Sequence, residues 1–227
     1  MEITKFLATV PLFGGLTAAQ YDELAMIATN QTYRKGQPIF AEGDPGAGLF
    51  VVASGLVKIY KLSLDGKEQI LHLFGPGEPF AEIAVFTGSA YPAHAMALEE
   101  SRVFFFPRQA FIDLIRQNPD LAMNMMAALS MRLKKFSRLI EDLSLKEVPG
   151  RLAAHLLFLS EQQGDTDTVA LPVSKTQLAS LLGTIPETLS RMLTKLAKQG
   201  IIAMAGAQMT LLDRDSLTAL AAGEKRL

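Results

Sequence analysis

A stripe of apolar residues in the middle of the chain does most to restrict how it can fold. Met126, Leu129, Leu133, Phe136, Ile140 and Leu143 are spaced alternately by three and four residues, which holds one narrow seam on one side of an α-helix for nearly three heptads. The pattern predicts the longest helix of the chain, entered through the turn-like Asn118-Pro119-Asp120-Leu121 and running to about Lys146. A helix of this length needs a surface to cover its seam. The chain's own sheet is one candidate. The narrowness of the stripe and its charged flanks (Arg132, Lys134, Lys135, Arg138, Glu141, Asp142) favour the other, the same helix of a second copy. A homodimer through residues 118–146 is therefore expected.

Before this helix, residues 35–106 consist of short apolar runs punctuated by glycine, as in "GLFVVASGLVKIYKL" and "QILHLFGPGEPF". Alternation is clear from Leu56 to Tyr60, and Asp65-Gly66 between two such runs is a strong hairpin signal. Many short strands suggest a small barrel or roll, although a generic β-sandwich has the same texture. After the helix, Pro149 either ends it or opens the next one in the first-turn position that proline tolerates. Arg151 to Ser160 should be helical, "EQQGDTDT" a polar loop, and the chain should close with two short helices and a hairpin ending in "AQMTLLD". The expected fold class is α+β, with a roll domain over 1–117, a dimerisation helix over 118–146 and a smaller domain over 147–227.

In that last domain "SKTQLASLLGTIPETLSRML" fits a helix-turn-helix. Ala179 is small where the helices cross, Gly183 makes the turn, and Leu189 plugs the corner. Ser174 is placed to cap the first helix, and Thr184 the second, with Thr184-x-x-Glu187 as a capping box. Helical hairpins unrelated to DNA can share this pattern, and Glu187 can be a capping carboxylate. The face of the second helix carries more information. Glu187, Ser190, Arg191 and Thr194 fall on one polar side, with Thr188 beside them, and Leu189, Met192, Leu193 and Leu196 fall on the other. Glutamate accepts from cytosine, arginine pairs two-pronged with guanine, and serine meets a base or a phosphate in the major groove. Lys175, Lys195 and Lys198 suit phosphates. Double-stranded DNA is the expected partner.

Composition narrows the remaining choices. The net charge is −1, which argues against a polyanion-coating protein but not against a local basic face. There is no cysteine, so a cysteine-ligated iron–sulfur cluster, a thiolate zinc site and a cysteine nucleophile are excluded. The sequence has no Walker loop, nucleophile elbow or metal-spaced histidines, and an enzyme is not expected. "MEITKFLATVPLFGG" is too broken for a signal peptide, and no apolar run reaches membrane-spanning length. A cytoplasmic protein with no membrane partner is expected.

The order of these parts resembles the CRP/FNR family of bacterial transcription regulators over nearly the whole length. The stretches that carry it are "VPLFGGLTAAQYDELA", "KGQPIFAEGD", "LFVVASGLVKIYKL", "GPGEPFAEIAVF", "ALSMRLKKFSRLIEDLSLKEVPGRLAAHLL" and "IPETLSRMLTKLAKQGII". The resemblance implies a cupin-like roll of the cyclic-nucleotide-binding type, a long dimer helix and a winged helix-turn-helix. It also implies Glu187, Ser190 and Arg191 as base-reading residues, a palindromic operator, and RNA polymerase as a partner. The Glu-x-x-Ser-Arg form is most similar to the FNR and nitrogen-oxide-responsive branch (dissimilatory nitrate respiration and hybrid-cluster-protein regulators). That branch implies TTGA-type half-sites.

The same resemblance places an effector pocket around Phe80, Glu82, Ala93, Leu133, Phe136 and Ser137. Glu82 stands where cyclic-nucleotide members bind a ribose hydroxyl. Their phosphate-binding arginine and following small hydroxyl residue are replaced by Pro92 and Ala93, and their adenine-contacting threonine by Phe136. Burying a phosphodiester without a cation is costly, so cyclic AMP is not expected, and Glu82 can instead pair within the roll. Two effector classes stay open: haem sensing nitric oxide, as in the branch this chain resembles, or a small organic molecule. His72 and His94 are the candidate haem ligands in the sensor, and His155 lies outside it. For each, the default reading is a structural histidine. Met123, Met125, Met126 and Met131 are alternative ligands, or core filler.

Overall fold

The computed structural model describes residues 2–206, 208–225 and 227, with the side chain of residue 2 left aside. Two compact units divide the chain, meeting between Lys134 and Lys135.

The first unit opens with helix α1 (Glu2–Leu7), a 3₁₀ turn (Pro11–Phe13) and α2 (Ala18–Ile27), which starts in a capping box between Thr17 and Gln20. Eight strands follow: β1 (Thr29–Tyr33), β2 (Pro38–Phe40), β3 (Gly48–Ser54), β4 (Val57–Leu62), β5 (Glu68–Phe74) and β6 (Pro79–Phe80), then α3 (Glu82–Thr87), β7 (His94–Ala97) and β8 (Ser101–Pro107). They form two antiparallel sheets ordered β1-β8-β3-β6 and β2-β7-β4-β5. The β4–β5 hairpin turns at Asp65-Gly66, where Gly66 has φ +80°, as the sequence suggests.

Strands β3 and β8 are apolar on both faces because both are covered. Phe50, Val52 and Val103 face a core between the sheets with Phe40, Val57, Phe74, Phe80 and Ala95. Leu49, Val51, Phe104 and Phe106 face the opposite way, onto Leu7, Phe13, Leu24, Phe111 and Leu121. The two-residue period of a strand thus serves two cores. Helix α4 (Arg108–Gln117) and the start of α5 (Pro119–Leu145) complete the outer core, with Leu121 and Met125 buried. Asn118, buried between these helices, donates to the Leu114 carbonyl.

The second unit contains α6 (Val148–Gln162), β9 (Thr168–Ala170), α7 (Lys175–Leu181), α8 (Pro186–Lys198), β10 (Ile202–Ala205), β11 (Gln208–Leu211) and α9 (Arg214–Ala222). Pro149 lies in the first turn of α6. The expected hairpin forms between β10 and β11, and β9 adds a third strand beside β11. Helix α6 packs along α9, where Gly150 allows close approach to the Leu220 carbonyl. Arg214 ties α9 to the α6–β9 loop through Asp165, Asp167 and Ser160. Among the described residues no helix is long and apolar enough to cross a membrane.

Candidate DNA-reading face and effector site

The helix-turn-helix assembles much as its spacing suggests. Ser174 caps α7 in a capping box with Gln177. Ala179 and Leu189 are fully buried, and Gly183 adopts φ +65°, which lets the Thr184 amide donate back to the Ala179 carbonyl at 2.9 Å. One local expectation is corrected. Thr184 does not cap α8: Ile185 occupies the N-cap in an extended conformation, and no side chain caps the helix. The chain is still closing the turn through the Thr184 amide, so Thr184 lies one residue too early.

Helix α8 buries Leu189, Leu193 and Leu196 and exposes Glu187, Ser190, Arg191, Thr194, Lys195 and Lys198. Thr188 is half-buried and accepts from the Arg191 guanidinium at 3.1 Å, while the Thr194 hydroxyl donates to the Ser190 carbonyl at 2.9 Å. Lys175 is exposed in the first turn of α7. The face thus presents one acceptor, one planar cation and several hydroxyls in the helix's first turns, with lysines at its far end. A base-reading helix flanked by phosphate contacts needs these groups.

In the roll, Glu82 opens α3 directly after Ala81, whose φ of +67° lies in the left-handed region. For a residue with a side chain this is strained, and such strain often accompanies functional sites. Glu82 is buried and paired. Arg132 of α5 donates from Nη1 to both carboxylate oxygens at 2.6 Å and from Nη2 to the Pro79 carbonyl at 2.6 Å. Its guanidinium also lies 4.9 Å over the Phe74 ring. In the sequence Arg132 reads only as one of the charged flanks of the helix, since its partner is fifty positions away.

Phe80 and Ala93 are both buried in the roll. Leu133 and Ser137 are exposed and Phe136 half-buried. His72 pairs with Ile59 across the sheet, on the side that carries Val57 and Phe74 into the core, and its ring meets Phe74 edge-on. His94 pairs with Tyr60 on the other side of that sheet and stacks on it. Its Nδ1 accepts from the Glu42 amide at 3.1 Å. The two histidines therefore do not converge. His155 lies in α6 of the second unit, its Nε2 buried without a hydrogen-bond partner, and burial pushes its pKa down to about 4. Of the methionines on α5, Met125 is buried in the outer core while Met123, Met126 and Met131 are exposed.

Residues 30–118 match the cyclic nucleotide-binding domain family, and residues 150–220 match the Crp-like helix-turn-helix domain. The chain is 33% identical over 213 residues to the cyclic AMP receptor protein of Thermus thermophilus, covering 94% of this chain and 97% of that one. It is 32% identical over 200 residues to the fumarate and nitrate reduction regulatory protein of Salmonella typhimurium, covering 86% and 80%. FixK2 of Bradyrhizobium japonicum superposes with a TM-score of 0.76 at 29% identity, over 86% of this chain and 97% of that structure. These matches span both the roll and the helix-turn-helix, and the chain belongs to the CRP/FNR family of sequence-specific, DNA-binding transcription regulators.

Proposed function

We propose that this regulator acts as a homodimer that reads an inverted repeat of TTGA-type half-sites, with Glu187, Ser190 and Arg191 as the base-reading residues. The supporting observation is the exposed polar face of α8 backed by its fully buried apolar face. Thr188 and Thr194 hold this face in order, and Lys175, Lys195 and Lys198 meet phosphates. Pairing runs through residues 118–146, where Leu133 and Ile140 of the seam are 67% and 65% exposed in the protomer. In a dimer, two recognition helices about 34 Å apart enter successive major grooves. RNA polymerase is the partner that family membership suggests. Binding to a TTGA palindrome should weaken steeply with salt and exceed binding to scrambled DNA. An Arg191→Ala variant that still discriminates the two would overturn the assignment.

The roll supports regulation by an effector other than cyclic AMP. The side chains of Pro92 and Ala93 supply neither a cation nor a hydroxyl for a phosphate, and Arg132 is committed to Glu82 and Pro79. Haem responding to nitric oxide is the reading we carry forward, with His72 rather than His94 as the axial ligand, because His72 lies on the core side of its sheet. Haem iron would supply the gas-binding centre. The protein would supply the imidazole and an apolar wall of Phe74 and Phe80. A saturable Soret band at one equivalent per subunit, shifted by nitric oxide and lost in His72→Ala, is the expected result. A band that survives His72→Ala would overturn His72 as the ligand, and weak, unsaturable uptake would instead point to a small organic effector in the roll.

A further inference from the structure

Among the described helices, α2, α7 and α9 begin in a side-chain cap, while α3, α4, α6 and α8 do not. Thr17, Ser174 and Asp213 cap α2, α7 and α9 with side-chain oxygens. At α8 the N-cap is Ile185, followed by Pro186, and no side chain caps the first turn. A β-branched apolar residue is among the poorest N-caps, and it leaves the helix less stable than serine or threonine would. Ile185 is also 49% exposed and Pro186 is exposed, so their apolar surface is not spent on the protein's own core. Both residues adjoin Glu187 at the leading end of the base-reading face. An exposed apolar pair thus stands at the edge of a polar site.

In the major groove the only apolar group on a base edge is the thymine C5-methyl. Resting on the DNA-reading function proposed above, we infer that Ile185, continued by the Pro186 ring, is a specificity-determining contact for the thymine methyls of the half-site. Glu187 and Arg191 then read the adjoining G·C pair by hydrogen bonds. This division explains how a TTGA-type site is distinguished at its thymines by a helix that carries no asparagine or glutamine on its face.

Deoxyuridine in place of thymidine removes the methyl and leaves every hydrogen-bonding group in position. Fluorescence anisotropy with palindromes carrying TTGA or UUGA half-sites tests the contact on the full-length protein. Wild type should bind the thymine operator about tenfold more tightly, because each of the two half-sites contributes at least one methyl packed on an apolar side chain. Ile185→Ala should lose that preference while still discriminating against a G·C change in the half-site. Ile185→Ser guards against a folding artefact. Serine is the better N-cap, so this variant should melt at or above the wild-type temperature and yet lose the thymine preference. Equal wild-type affinity for both operators, or an Ile185→Ser protein that keeps the full preference, would overturn the assignment alone. Failure of wild type to prefer TTGA over scrambled DNA would overturn the half-site reading and the methyl contact with it.

Discussion

The Glu82–Arg132 pair provides a sharp test of what holds α5 to the roll. Glu82→Gln keeps the size of the side chain and its hydrogen-bonding oxygen but removes the charge. It leaves an arginine whose side chain is 17% exposed, opposite a position only 6% exposed. Breaking a buried pair from one side costs about 3–5 kcal/mol. The residual exposure of Arg132, and the Pro79 carbonyl that it keeps, place this case at the low end, near 3 kcal/mol. For a unit of this size that corresponds to a melting temperature lower by about 10 °C. The chain offers a convenient probe: its four tyrosines, Tyr21, Tyr33, Tyr60 and Tyr91, all lie in the first unit, and it has no tryptophan. Tyrosine fluorescence therefore follows this unit's melting apart from the second unit's, which matters because a two-unit protein need not unfold in one step. The double variant Glu82→Gln/Arg132→Met removes both charges and should recover part of the loss, giving a coupling energy above about 1 kcal/mol. A Glu82→Gln protein within about 0.5 kcal/mol of wild type, or single effects that simply add in the double variant, would refute the claim that the pair is a buried, mutually dependent unit.

Other perturbations address the second unit. Arg191→Ala should lose about 1–3 kcal/mol of discrimination at one G·C pair, read as the ratio of affinities for cognate and substituted operators. Lys195→Ala and Lys198→Ala should instead weaken binding to all sequences alike and, with two copies of each lysine in the dimer, lower the slope of log K against log salt by about two each, measured by a salt titration. Burial holds His155 neutral with a pKa of about 4, against roughly 6.5 when unfolded. Its contribution is intact above pH 6.5 and is lost as pH falls towards 4, where only the unfolded chain takes the proton. Urea denaturation should show about 2–3 kcal/mol less stability at pH 4.5 than at pH 7 from this group, a difference that His155→Leu should remove. Gly150→Ala would place a Cβ 2.8 Å from the Leu220 carbonyl and should cost about 1–3 kcal/mol in thermal melts, because a backbone oxygen in packed helices cannot move aside cheaply.

How much was legible beforehand follows from the range of the interactions concerned. The β4–β5 hairpin, the Ser174 cap, the turn at Gly183 and the buried face of α8 each depend on residues within about ten positions of one another, and periodicity and turn chemistry specify such features. The Thr184 cap failed at the same short range for a geometric reason. A capping box can be written from Thr184 to Glu187, but the tight turn after Gly183 consumes the Thr184 amide, and the helix opens one residue later. Strand β9 was hidden because Thr168–Ala170 is three residues long and exists only by pairing with β11, forty positions on. The opposed orientation of His72 and His94 was equally hidden. It depends on the register of β4 with both neighbours and on the bulge after Ile59, neither of which a single strand reveals.

Arg132 links the two properties that matter most for regulation, and neither one points to the other in the sequence. It lies in α5 beside the seam residues Leu129 and Leu133, yet its guanidinium is spent in the roll on Glu82, Pro79 and Phe74. An effector that occupies the carboxylate of Glu82 must supply a partner for Arg132 or displace it, and displacement leaves a cation to be solvated or paired elsewhere. Moving a two-state equilibrium from one in a hundred to ninety-nine in a hundred takes about 5.5 kcal/mol of differential binding. Breaking a pair worth about 3 kcal/mol makes up a large share of that. Leu129 and Leu133 are carried by the same turns of helix as Arg132, so a movement of this part of α5 would carry the seam with it. A ligand that binds in the roll without disturbing the pair would have to reach the seam by another route, and the effect of Glu82→Gln on effector-dependent DNA affinity separates the two cases. If the pair transmits the signal, the variant binds DNA with little dependence on the effector. If it does not, the dependence survives the loss of the charge.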